Sequence, residues 1–72
     1  MRDYLIIIEK TKTGFSAYSP DVPGCVATGK TRDQVKRKMR SAIDFHLKAL
    51  VDDGLPIPKS DSKAEYITVG DY

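Results

Sequence analysis

The hydrophobic positions of the chain follow two periods in turn. Tyr4-Leu5-Ile6-Ile7-Ile8-Glu9 is a short β-branched and aromatic run, which predicts a strand covered on both faces. Tyr4, Ile6 and Ile8 then point one way and Leu5 and Ile7 the other. One face meets a helix, and the other is free to form an interface. Lys10 to Gly14 is polar and ends in glycine, a hairpin signal. Phe15-Ser16-Ala17-Tyr18-Ser19 alternates and predicts a second strand antiparallel to the first. Cys25 to Thr28 predicts a short third strand. From there the period changes. Val35, Met39, Ala42, Ile43, His46, Leu47, Leu50 and Val51 recur at three- and four-residue spacing, one stripe of an amphipathic helix. Thr31 is suited to cap its start, with Gln34 three residues on. Gly54, Leu55 and Pro56 supply a stop, so the helix is predicted from about Arg32 to Asp53. Phe45 lies at the edge of the stripe, where an interface could use it. After the stiff Pro56-Ile57-Pro58 segment and a polar loop, Ala64 to Val69 alternates weakly and predicts a fourth strand. The order is β-β-β-α-β, a two-layer α+β domain with one helix packed on a sheet face.

Between the second and third strands stands a rigid corner, Ser19-Pro20-Asp21-Val22-Pro23-Gly24. Pro20 and Pro23 fix their own φ and push Ser19 and Val22 toward extended geometry. Gly24 permits a positive φ, and Asp21 can cap the turn with its own side chain.

The chain has 72 residues, one cysteine and one histidine. It is expected to be one domain, residues 1–72. A chain this short buries only about 60% of the surface its unfolded form exposes. No internal disulfide and no Cys/His metal cluster can reinforce it, so no cofactor or metal is expected. Self-association, as a dimer or tetramer, is expected to complete its stability. The longest apolar run is far too short to span a membrane, and no signal-peptide pattern opens the chain. A lone free cysteine fits the reducing cytoplasm.

Charge is unevenly placed. Lys30, Arg32, Lys36, Arg37, Lys38 and Arg40 face one acid, Asp33, over the helix start, a local excess of +5. From Asp52 onward five acids oppose Lys59 and Lys63, an excess of −3. Lys30, Arg32, Lys36, Arg37 and Arg40 are therefore candidate contacts for RNA or DNA phosphates, against the alternative of a solvated helix face. The strand aromatics lack the spacing of an RNA-reading signature, so an acidic protein surface is an equal candidate. His46 falls on the apolar stripe, as a packing residue would. Cys25 at a strand start suits a buried thiol more than a nucleophile. Asp3, Glu9, Asp21 and Glu65 are the only carboxylates that strands could bring together around magnesium, and they have no recognisable spacing.

The first strand, the Phe-Ser-Ala-Tyr strand and the Ser19-Pro20-Asp21-Val22-Pro23-Gly24-Cys25 corner, with Thr28-Gly29 behind it, together resemble the HicB family of antitoxins. The Thr31 cap, the helix through Ala42 and the Gly54-Leu55-Pro56-Ile57-Pro58 exit extend the resemblance over about the first 58 residues. It implies a partial ribonuclease-H-like fold and a non-enzymatic role. The partner would be a small HicA-type toxin that cleaves messenger RNA with a histidine on a double-stranded-RNA-binding-like fold. The antitoxin covers the toxin's active or RNA-binding surface. Tyr18, Pro20, Asp21, Pro23 and Gly24 would form or shape the partner contact. Many relatives continue into a DNA-binding module. This chain ends at Tyr72, so direct operator binding is not expected. Lys30 also replaces the acid often found after the glycine. A stand-alone nucleic-acid-binding module using the basic helix start is the alternative function, and a minimal magnesium-dependent nuclease built on Asp21 is a third.

Overall fold

The computed structural model describes residues 2–72. Three strands, β1 (Ile7–Lys10), β2 (Phe15–Tyr18) and β3 (Val26–Gly29), precede one helix, α1 (Arg32–Asp52). The strands form an antiparallel meander in the order β1-β2-β3. This is the expected α+β arrangement of sheet and helix.

Register decides what each side chain meets. Ile8, Ala17 and Ala27 stand in one cross-strand row. Ala17 is buried, and Ile8 and Ala27 pack against the core. The neighbouring row, Ile7, Tyr18 and Val26, points to the opposite face, since side chains alternate along a strand. The helix lies over β2 and β3. It buries Val35, Met39 and Ile43, three positions of the predicted stripe, with Ala42, His46, Leu47 and Leu50 half-buried beside them. Val51, at the last turn, is exposed instead, because the stripe there has run past the sheet. The core is small: Ala17, Val22, Cys25, Val35, Met39 and Ile43.

The helix ends are built as the sequence dictates. Thr31 has extended backbone, and its hydroxyl accepts from the Gln34 N–H at 3.1 Å. The Gln34 side chain reaches back to accept from the Lys30 N–H at 2.8 Å. The first bond satisfies one of the orphan donors of the helix start, and the second ties the residue before the cap to the first turn. At the other end Gly54 takes φ +69°. The Gly54 N–H donates to Val51 and the Leu55 N–H to Leu50, at 3.0 and 2.9 Å. This pair of bonds is a Schellman stop.

The predicted fourth strand does not form. Residues 64–69 pair with no strand and lie exposed, with Tyr66 and Ile67 at 104% and 83% exposure. A six-residue run has no internal way to satisfy its backbone. It becomes a strand only beside a free edge, and within the chain it is held away from one.

Candidate functional site

The corner between β2 and β3 is two consecutive turns. The Val22 N–H donates to the Ser19 carbonyl and the Cys25 N–H to the Val22 carbonyl, both at 3.3 Å. Each turn carries proline at its second position. The second has Gly24 at its third with φ +86°, the combination that defines a type II turn. The corner is anchored inward by Val22, which is fully buried, and by Cys25. Ser19 is also buried, and its hydroxyl donates to the Leu5 carbonyl at 2.9 Å, which ties the corner to the segment before β1.

Asp21 does not cap its own turn. Its carboxylate accepts from the Ser62 N–H at 3.0 Å and from the Ser62 hydroxyl at 2.8 Å. Those two bonds, with a smaller contribution from the Asp61 N–H, hold its pKa below the ordinary carboxylate value. The corner is thus the clasp of the C-terminal segment. Two further contacts lead the chain there. The Tyr4 hydroxyl donates to the Pro58 carbonyl at 2.6 Å, and the Ser60 hydroxyl donates to the Asp3 carbonyl. No local pattern announces Ser62; it lies in a serine-rich polar loop like many others.

On the sheet face away from the helix, Tyr18 and Val26 are 43% and 68% exposed and flank each other in register with half-buried Ile7. The structure places Tyr18 one residue from the corner, and Pro20, Pro23 and Gly24 are exposed beside it. Tyr18, Pro20, Pro23 and Gly24 are therefore all exposed, on the end of β2 and in the rigid loop that follows it. Asp21 is the exception, being engaged with Ser62.

The basic residues of the helix start lie in the other layer. Arg32 stands 5.5 Å over the Phe15 ring, a cation–π contact. Lys38 donates to the Thr28 carbonyl at 2.8 Å. Lys30 and Lys38 rim a shallow groove floored by Thr11, Thr13, Phe15, Thr28 and Gly29. Lys36, Arg37 and Arg40 are exposed. Among the described residues the one ion pair is Lys48 with Asp44, at 3.1 Å on the helix surface, so no acid neutralises the basic start.

Cys25 is buried, with its thiol 3.9 Å from the Ala42 carbonyl, and burial pushes its pKa up. A thiol so placed is a poor nucleophile. Among the described residues no three His, Cys, Asp or Glu side chains come together to hold a metal ion. Asp3, Glu9, Asp21 and Glu65 are accordingly not gathered into such a group. No described helix is long and apolar enough to cross a membrane.

Comparison with known proteins converges with this geometry. Residues 4–72 match the model of a family described as HicB-like antitoxins of bacterial toxin–antitoxin systems. An uncharacterised 14.9 kDa protein of Haemophilus phage HP1 is 36% identical over 69 residues; the match takes in 96% of this chain and 52% of that protein. A UPF0150 protein of Thermoplasma acidophilum is 33% identical, with 92% of this chain and 94% of that protein covered. A solved chain of the HicA3 and HicB3 toxin–antitoxin complex superposes with a TM-score of 0.67 at 35% identity, over 83% of this chain and 70% of that one. This chain thus spans about half the length of the phage relative. The match covers the corner, the meander, the helix and the segment after it, and the chain belongs to the HicB-like antitoxin family.

Proposed function

We propose that this protein binds and neutralises a small HicA-type ribonuclease by covering its active or RNA-binding surface. The observation that carries the reading is the apolar row Ile7, Tyr18 and Val26 on the bare sheet face, followed along the chain by the rigid Pro20–Gly24 corner, in a fold shared with a chain of a toxin–antitoxin complex. An aromatic anchor within an apolar patch is what a protein interface uses most. Pro20, Pro23 and Gly24 hold the edge of that surface in one shape, and Asp21 fixes it from behind through Ser62. In this reading the chain acts by occlusion and not by catalysis, as the antitoxin family suggests. A reducing cytoplasm suits the free thiol, and the small core supports self-association.

The test is a ribonuclease-inhibition assay with the product of the neighbouring reading frame, if that is a small RNA-binding-fold toxin. Stoichiometric loss of RNA cleavage and a complex stable to size exclusion are expected. Tyr18→Asp, at an exposed position, should keep the fold and abolish both. A wild-type chain that neither binds nor inhibits would overturn the reading.

A second reading has its own observation. The uncompensated basic helix start lies in the layer opposite the bare sheet face, so Lys30, Arg32, Lys36, Arg37 and Arg40 can contact nucleic-acid phosphates while the sheet is occupied. RNA retention that weakens steeply with salt would support it. Retention indifferent to salt, or none, would remove it.

A further inference from the structure

The C-terminal arm and the β1 edge are two unfinished halves of one strand pairing. The arm carries Tyr66, Ile67, Val69 and Tyr72, all strongly exposed. Ala64 to Val69 alternates as a strand does, with Tyr66 and Thr68 on one side and Ile67 and Val69 on the other. β1 lies at the edge of the sheet, and among the described residues no backbone bond reaches it from outside the meander. The helix lies over β2 and β3, leaving the β1 side of the sheet open.

The arm does not complete its own sheet. Tyr4 meets Pro58 and Asp3 meets Ser60, so the segment runs antiparallel to residues 3–4 and away from β1. Ser62 is then clasped by Asp21 on the far side of the corner. Beyond that point the ten residues to Tyr72 could reach up to about 35 Å outward when extended. The dimensions record this projection. The radius of gyration is 14.4 Å and the long axis 51 Å, against about 11 Å expected for the radius of a compact chain of this length.

We propose that the arm is a donor strand for a second copy of this chain. Residues 64–69 of one copy pair with the free edge of β1 in the other, and the exchange is reciprocal. The strand that the sequence predicts thus forms between molecules, where the clasp at Ser62 directs it. The area is sufficient. Tyr66 brings about 150–250 Å², and Ile67 and Val69 on the order of 60–120 Å² each. Two arms, with the surfaces they cover, reach the roughly 1,200 Å² of a stable specific interface. A closed two-fold exchange also removes both exposed β1 edges, which would otherwise promote open-ended aggregation.

Size exclusion with light scattering on the full chain, without toxin, tests this. A dimer is expected at tens of micromolar, and the double variant Tyr66→Pro/Ile67→Pro, which removes a ladder donor whichever edge of the exposed segment pairs, should give a monomer with unchanged helical circular dichroism. Hydrogen exchange on the wild-type chain supplies a second reading that needs no variant: alternate amides within 65–69 should be protected in the dimer and exchange freely on dilution. A wild-type monomer, a variant that stays dimeric, or unprotected arm amides in a dimer would each overturn the proposal. Inhibition of a toxin is scored separately, so a monomer that inhibits would refute the exchange alone, and a dimer that does not would refute the antitoxin reading alone.

Discussion

Met39→Ala tests whether the small core is what holds this surface in shape. Met39 is 1% exposed, midway along the buried face of α1, and is one of three side chains buried completely, with Val22 and Val35. Val22 belongs to the corner, and so helix and corner are sealed by the same few side chains. Truncating a buried methionine to alanine costs about 2–5 kcal/mol, the spread reflecting how far the site can collapse. Collapse is limited here, because the helix is pinned at both ends by its caps. A domain of 72 residues has a total stability of about 4–11 kcal/mol. The substitution therefore removes from a fifth of the stability to all of it. With a urea slope of about 1 kcal/mol/M, the unfolding midpoint should fall by roughly 2 M or more. Each kcal/mol should lower Tm by about 4–8 °C. Urea titration followed by far-ultraviolet circular dichroism reads the first, and a thermal scan the second. Phe45→Ala is the control: that side chain is 76% exposed on the same helix, and its loss should change stability by no more than about 0.5 kcal/mol. If Met39→Ala costs under about 1 kcal/mol, or no more than Phe45→Ala, the core does not hold the helix to the corner and the reasoning fails.

Three further outcomes are expected. Gly14→Ala should destabilise the domain by about 1–3 kcal/mol, because a β-carbon there would be driven into the backbone carbonyl of Gly29, which no side-chain movement relieves; an unchanged urea midpoint would show that β3 can retreat. The lowered Asp21 pKa predicts that the Ser62 clasp is fully present above the ordinary carboxylate value of 3.8 and is lost as pH falls through the lower folded value. The Ser62 amide shift should titrate in that acid window and stop doing so in Asp21→Asn, and a shift that titrates equally in both would refute the assignment. Cys25, buried and with its pKa raised, should react with iodoacetamide at neutral pH far more slowly in the folded chain than in denaturant; equal rates would mean that the corner opens freely.

The parts of this protein that the sequence alone determines are those whose energetics are local. Thr31 and Gln34 make the helix start, and Gly54 and Leu55 make its stop, through bonds spanning three to five residues. Gly24 adopts its positive φ because proline precedes it in a tight turn. The three- and four-residue spacing alone sets Val35, Met39 and Ile43 on the apolar stripe, and strand alternation alone sets Tyr18 on the face opposite Ala17. Three things only the tertiary structure decided. The bare face became a patch when the register set Ile7, Tyr18 and Val26 side by side, which the individual strands do not specify. Asp21 turned from capping its own turn to clasping Ser62, 41 residues away. The apolar run at 64–69 was denied strand structure by the same clasp. A turn or a cap is closed by its own neighbours and so is written in them. A strand is completed by whatever edge lies beside it, and where the chain is led past that edge, its sequence can state the preference but not the partner.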